Sequence, residues 1–84
     1  MCKELERINK FWAKKGYKLW NITISTYTDV KMHSDLKIYM WIEDYSELEI
    51  SYTDIKEFEE NFGFQFSKIE IKYMELILHF RRND

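Results

Sequence analysis

The sequence predicts an α+β fold in which two helices pack on an antiparallel sheet of about four strands. Two patterns lead to this class. Apolar residues recur at helical spacing in two stretches, and they alternate with polar residues at strand spacing in the stretches between and after them. The chain has no proline and glycine only at positions 16 and 63, so no flexible linker divides it. We therefore expect a single compact domain over residues 1–84 with the element order α-β-β-β-α-β.

The first helix is predicted over residues 3–15. Leu5, Ile8 and Trp12 recur at the spacing of one helix face, which gives the helix an apolar stripe. Glutamates lie in its first turn and lysines in its last turn, which suits the helix dipole, and Gly16 follows as a stop signal.

The first two strands are predicted over residues 17–28 and 35–43. In the first, Trp20 shares one face with the isoleucines, and the other face is largely polar. The second is partly apolar on both faces, so we expect it in the centre of the sheet or presenting Tyr39 and Trp41 to a partner. For Trp41, packing against a helix is the favoured alternative.

A third strand is predicted over residues 47–52, because apolar and polar residues alternate there as well. Glu47 and Glu49 would face solvent, whereas Ile50 and Tyr52 would face the core.

The second helix is predicted to begin at a capping box formed by Asp54 and Glu57, or one residue earlier with Thr53 as the cap. Gly63 is the expected stop signal at its end.

The last stretch, residues 64–82, alternates throughout, but its apolar positions change from odd to even numbers at Tyr73 and Met74. This change predicts one strand with a β-bulge at these two residues, or two separate short strands as the alternative.

The sequence lacks the residue patterns of common catalytic and cofactor sites, and we predict a protein without enzymatic activity or cofactor. Cys2, His33 and His79 are the only sulfur and nitrogen ligands a metal could use, and they form no ligand motif. Asp29, His33 and Asp35 cluster in the sequence, and we interpret them as a solvated turn.

The cysteine count and the hydropathy pattern bear on the compartment. A single cysteine cannot form an internal disulfide, and no apolar run approaches the length of a membrane span. No signal-peptide pattern follows the charged start of the chain, so we expect a cytoplasmic protein without a membrane partner.

Residues 43–60 form an acidic segment with eight carboxylates and one lysine, whereas residues 1–20 carry net positive charge. Asp54 and Glu57 suit a helix N-terminus. The others form either a solvated face, offset by the basic first helix, or a binding patch for a basic protein surface. The candidate partner-binding residues are Glu43, Asp44, Tyr45, Glu47, Glu49, Glu59 and Glu60, with Tyr39 and Trp41 as aromatic anchors.

These observations lead to the expectation of a small inhibitor that binds another protein through an acidic surface, which could mimic nucleic acid. A small chain with an acidic surface is often found among phage anti-defence proteins, such as anti-CRISPR inhibitors, and among immunity proteins against toxins. The alternative is a nucleic-acid-binding module that uses the basic first helix and the aromatic sheet face, although a pI near 5.7 makes direct binding less favourable. A homodimerisation domain that buries the same face is a further alternative.

Overall fold

Two helices pack on one face of a four-stranded antiparallel sheet in the computed structural model, which describes residues 3–29, 31–42 and 50–83. The elements in chain order are α1 (Lys3–Lys14), β1 (Leu19–Tyr27), β2 (His33–Trp41), α2 (Tyr52–Phe62), β3 (Gln65–Lys72) and β4 (Glu75–Asn83). The strands lie in the order β1-β2-β4-β3, so β2 is central, as its apolar composition predicts. The predicted α+β class is confirmed.

The described elements follow the order α-β-β-α-β-β, so the predicted order α-β-β-β-α-β is wrong. The first half of the predicted third strand, residues 47–49, lies outside the described residues. Its described end is not a strand: Ile50 and Ser51 precede α2, and Tyr52 is the first helical residue. Tyr52 is also exposed rather than directed into the core.

The fourth strand of the sheet comes from the end of the chain, where two strands form a hairpin. A two-residue turn, Tyr73 and Met74, joins β3 to β4, and Tyr73 adopts a positive φ of 51°. This confirms the alternative of two strands over a single bulged strand. Because the hairpin pairs Ile71 with Leu76, odd positions of β3 share a face with even positions of β4, which explains the change of parity in the sequence.

The core lies between the helices and the even-numbered positions of β2 and β4. Phe58 of α2 is at its centre, with its ring 4.7 Å from that of Phe80 and 5.3 Å from that of Trp12. Burying such a side chain contributes about 1.5–3 kcal/mol. The buried apolar side chains of this cluster are Ile8, Trp12, Leu36, Ile38, Met40, Ile42, Ile55, Phe58, Phe64, Leu76, Leu78 and Phe80.

Helix α2 begins earlier than predicted. Ser51 is its N-cap, and the Ser51 hydroxyl accepts a hydrogen bond from the backbone N–H of Asp54, so neither Asp54 nor Thr53 is the cap. The predicted stop at Gly63 is confirmed: this residue has φ 75° and its N–H donates to the carbonyl of Glu59 at 2.9 Å.

A mixed aromatic and ionic contact ties α1 to the sheet. The guanidinium of Arg82, on β4, donates two hydrogen bonds to the Glu4 carboxylate at 2.9 and 3.3 Å. The same guanidinium lies 4.3 Å from the ring centroid of Phe64. One side chain thereby holds the N-terminal turn of α1 and the residue that leads into β3.

Candidate functional site

The face of the sheet opposite the helices, called the open face below, is covered by no helix among the described residues. It consists of alternate positions of each strand, where the side chains are mostly polar or aromatic. Its members are Trp20, Asn21, Thr23, Ser25 and Tyr27 of β1, His33, Asp35, Lys37, Tyr39 and Trp41 of β2, Lys68, Glu70 and Lys72 of β3, and Glu75, Ile77, His79 and Arg81 of β4.

Three aromatic residues form a continuous cluster at one end of the open face. The ring of Trp20 lies 5.3 Å from that of Tyr39 and 5.5 Å from that of Trp41, in tilted arrangements. Trp20 is 45% exposed and Trp41 is 54% exposed, whereas Tyr39 is half-buried between its neighbours. These three residues are the aromatic cluster. Large aromatic side chains left this exposed are typical of interaction surfaces.

Trp20 reaches this cluster because β1 contains an irregularity. The register with β2 shifts between Leu19 and Asn21, so that Leu19 stays on the core side and Trp20 turns to the open face. The prediction that Trp20 shares the core face with Ile22 and Ile24 is therefore wrong. The adjacent apolar residues Leu19 and Trp20, which interrupt strict alternation, were the sequence signal for this irregularity.

The predicted anchors Tyr39 and Trp41 both lie on the open face. Trp41 does not pack against a helix among the described residues, and its backbone N–H donates to the carbonyl of Lys18 at 3.0 Å. The structure therefore brings together two predicted anchors with one residue, Trp20, that the sequence analysis had assigned to the core.

Among the described residues of the open face, four of the seven with a formal charge are paired with one another. Arg81 donates to Asp35 at 2.8 Å, and this hydrogen bond lowers the pKa of Asp35 below its ordinary value. Glu70 lies 2.9 Å from Nε2 of His79 and 3.3 Å from Nζ of Lys72. The contact with His79 is the main cause that lowers the pKa of Glu70. The face is thus close to charge balance.

The predicted acidic residues divide into three groups. Glu43, Asp44, Tyr45, Glu47 and Glu49 lie outside the described residues. Glu60 is exposed on α2. Glu59 has an internal role that the sequence analysis missed.

Glu59 connects α2 with β3. Its Oε2 accepts a hydrogen bond from the backbone N–H of Phe66 at 2.7 Å, and its Oε1 lies 3.2 Å from Nζ of Lys56. The bond from Phe66 is the main cause that lowers the pKa of Glu59.

The first helix offsets part of the acidic segment, as one of the two interpretations of the sequence expected. Nζ of Lys15, which follows α1 directly, lies 3.6 Å from Asp54 and also contacts Glu57. The hydrogen bond with Glu57 is the main cause that raises the pKa of Lys15. Asp54 and Glu57 are therefore engaged within the molecule.

The described part of the chain contains no group of three or more metal-ligating side chains. In the cluster interpreted as a turn, Nδ1 of His33 lies 3.1 Å from the Lys31 carbonyl and Asp35 is engaged by Arg81. A recess beside the end of α2, lined by Glu60 and Phe66 among others, is shallow and wide open rather than an enclosed ligand cavity. Neither described helix has the length and apolar composition needed to cross a membrane.

Comparisons with protein-family models, with curated proteins and with solved structures found no match. The chemistry of the surface itself is therefore the basis from which a function can be inferred.

Proposed function

We propose that this protein is a non-enzymatic, cytoplasmic inhibitor that binds another protein through the open face. The observation that carries this proposal is the aromatic cluster of Trp20, Tyr39 and Trp41 on a sheet face that no described helix covers. Tryptophan and tyrosine dominate the energy of protein interfaces, because each buries a large rigid surface at a low cost in conformational entropy.

The charge of the open face favours a protein partner over nucleic acid. A surface that binds nucleic acid needs cations that are available to phosphates. Here Arg81 is engaged by Asp35 and Lys72 is engaged by Glu70. Among the described residues, Lys37 and Lys68 are the open-face cations that remain without an ion pair, and two isolated cations are a small footprint for phosphates. Mixed and mutually paired charges around an aromatic centre are instead the composition of a protein interface.

In the sequence, the acidic segment begins two residues after Trp41 of the aromatic cluster. Glu43 and Asp44 follow Trp41 within three residues. Their negative charge would attract a basic protein surface towards the aromatic cluster and increase the association rate. In this proposal the aromatic residues supply affinity and the carboxylates supply steering, and the bound protein blocks the working surface of its target, as anti-CRISPR and toxin-immunity proteins do.

Affinity capture from an extract of the source cells tests the proposal with three baits. The baits are the wild type, a double variant with Trp20→Ser and Trp41→Ser, and a control with Tyr52→Ser. Tyr52 is 69% exposed on α2, away from the open face. Its replacement therefore removes an exposed aromatic ring, as the double variant does, but leaves the aromatic cluster intact. A partner retained by the wild type and the control should be lost by the double variant. Truncating one hot-spot residue typically costs at least about 2 kcal/mol, roughly 30-fold in Kd.

Three results would decide against the proposal. A partner held equally by the wild type and the double variant would show that the aromatic cluster is not the interface. Direct binding of single-stranded RNA or DNA in an electrophoretic shift assay, weakened by the double variant, would assign the same face to nucleic acid. Analytical ultracentrifugation of the wild type alone tests for a homodimer that buries this face, since the double variant would then be monomeric.

A further inference from the structure

Glu75 lies directly beside the aromatic cluster. It is opposite Trp41 in the register of β4 with β2. The backbone N–H of Ile42 donates to the carbonyl of Met74, so the preceding pair, Trp41 and Glu75, is of the type without mutual backbone hydrogen bonds. In such pairs the Cα atoms are about 4.5 Å apart and the side chains are at their closest. Glu75 and Trp41 therefore project side by side from the same face of the sheet.

Glu75 also differs from the other carboxylates of the open face. Asp35 is engaged by Arg81, and Glu70 is engaged by His79 and Lys72. The side chain of Glu75 makes no hydrogen bond or ion pair with another described residue. It is half-buried at the edge of the aromatic cluster, so its charge is only partly solvated and a cation placed there would be favoured.

From this arrangement we propose that Trp41 and Glu75, with Trp20 beside them, form a receptor for the guanidinium group of an arginine on the protein partner. The inference rests on the proposed function, since it names the chemistry that the open face recognises. A guanidinium is flat, stacks on an indole ring and can form two parallel hydrogen bonds with a carboxylate. An ammonium group presents no flat surface for stacking, so arginine fits better than lysine.

The protein already contains this arrangement in a partly buried contact of its own. Arg82 is stacked on the ring of Phe64 at 4.3 Å while it donates two hydrogen bonds to Glu4. The pair of Trp41 and Glu75 offers the same two groups, an aromatic face and a carboxylate, with the guanidinium to be supplied by the partner. Tryptophan is a stronger aromatic partner for a cation than phenylalanine.

Short peptides test this inference without the partner. Capped hexa-arginine and hexa-lysine peptides are titrated into the ¹⁵N-labelled protein at physiological salt, and the indole N–H signals report binding. The arginine peptide should bind several-fold more tightly than the lysine peptide and should shift the Trp41 indole signal. Glu75→Gln should weaken binding of the arginine peptide by about tenfold, because it replaces a charge-assisted contact by a neutral one.

Two variants control the charge effect. Glu60→Gln removes one negative charge from an exposed position on α2, and binding should change less than about twofold. Lys72→Met removes a cation directly opposite Glu75 in the pairing of β3 with β4, and binding should become tighter, because the charge around the Glu75 carboxylate then becomes more negative. Lys72→Met also tests the inference if Glu75→Gln fails to fold.

Equal affinity for the two peptides would overturn the arginine receptor. Equal weakening of arginine-peptide binding by Glu75→Gln and Glu60→Gln would do the same, and so would NMR shift changes centred on α2. These results leave the proposed function standing if the double tryptophan variant still loses the partner. If that variant keeps the partner while the peptides behave as expected, the proposed function fails although an arginine receptor exists.

Discussion

Glu59 illustrates how one side chain joins two elements that are adjacent in the chain. It lies in the last turns of α2 and accepts the backbone N–H of Phe66 at 2.7 Å, near the start of β3. The other oxygen of its carboxylate, Oε1, pairs with Nζ of Lys56, which lies one turn earlier on the same helix. A carboxylate that accepts a backbone N–H gains a charge-assisted hydrogen bond, which is stronger than a neutral one.

The contribution of Glu59 should depend on pH. Its pKa in the folded protein lies below the ordinary value of 4.5. The stabilisation is therefore complete above the pKa of the unfolded chain and is lost as the pH falls through the folded-state pKa. Urea denaturation should show Glu59→Gln less stable than the wild type by about 1 kcal/mol at pH 7. The difference should shrink as the pH is lowered from 5 to 3.

The control for this prediction is Glu60→Gln, the neighbouring exposed carboxylate. Its unfolding free energy should remain within about 0.5 kcal/mol of the wild type at every pH. A Glu59→Gln deficit that stays constant down to pH 3 would contradict the assigned role of the charge.

At the scale of elements, the start of α2 is held by a residue from another part of the chain. The Tyr17 hydroxyl accepts the backbone N–H of Ser51 at 3.2 Å and donates to the Asp54 carboxylate at 2.7 Å. In a capping box, the side chain at the third helical position would itself accept the N-cap N–H. Here the Tyr17 hydroxyl stands between these two groups, and it thereby links the connection after α1 to the first turn of α2.

Tyr17→Phe should destabilise the protein by about 1–3 kcal/mol. The ring stays 5.2 Å from that of Trp12, so packing is preserved, but the Ser51 N–H and the Asp54 carboxylate lose their partner. Chemical denaturation measures the change. Tyr73→Phe, at a position that is 93% exposed, should change stability by less than about 0.5 kcal/mol. Equal stability of the two variants would show that the Tyr17 hydroxyl contributes nothing to the cap.

At the scale of the whole molecule, the strand order places β2 and β4 in the centre of the sheet and β1 and β3 at its edges. The backbone hydrogen bonds of the central pair are shielded by the helices on one side and flanked by strands on both edges. The register makes Ile38 and Leu78 direct partners in this pair. In an antiparallel ladder, pairs with mutual backbone hydrogen bonds alternate with pairs that have none. Ile42 and Met74 form a hydrogen-bonded pair, and Ile38 and Leu78 lie four positions further along the ladder, so they form one too.

Native-state hydrogen exchange should therefore be slowest in β2 and β4. The backbone N–H and C=O of Leu78 point towards Ile38 on β2, so Leu78 makes no backbone hydrogen bonds with Ile69, its partner on β3. The backbone N–H and C=O of Ile69 therefore point towards the free edge of the sheet. The amides of Ile38 and Leu78 should exchange at least about 100-fold more slowly than that of Ile69, measured by NMR after dilution into D₂O. Strong protection of Ile69 would contradict this arrangement and would show that the β3 edge is covered in solution.

Local patterns in the sequence determined the α+β class, helix α1, the first two strands with the second in the sheet centre, and the end of α2 at Gly63. Each depends on periodicity, dipole-matched charge or a glycine stop, which act within a few residues. The same alternation placed Tyr39 and Trp41 on one face of their strand, but it favoured packing of Trp41 against a helix, and only the structure showed that no described helix covers it. The change of parity at Tyr73 also indicated a break, although it left two structures open.

Only the tertiary structure decided the order of the elements, the face of Trp20, the partner of Glu59 and the position of Glu75 beside Trp41. The reason is that alternation predicts a face only while the register is unbroken, and one irregularity after Leu19 reversed it for Trp20. Neighbours across strands depend on which distant segments pair, and no local pattern specifies that pairing. The unpaired carboxylate next to the aromatic cluster therefore emerged from the register of β2 with β4, which joins residues more than 30 positions apart.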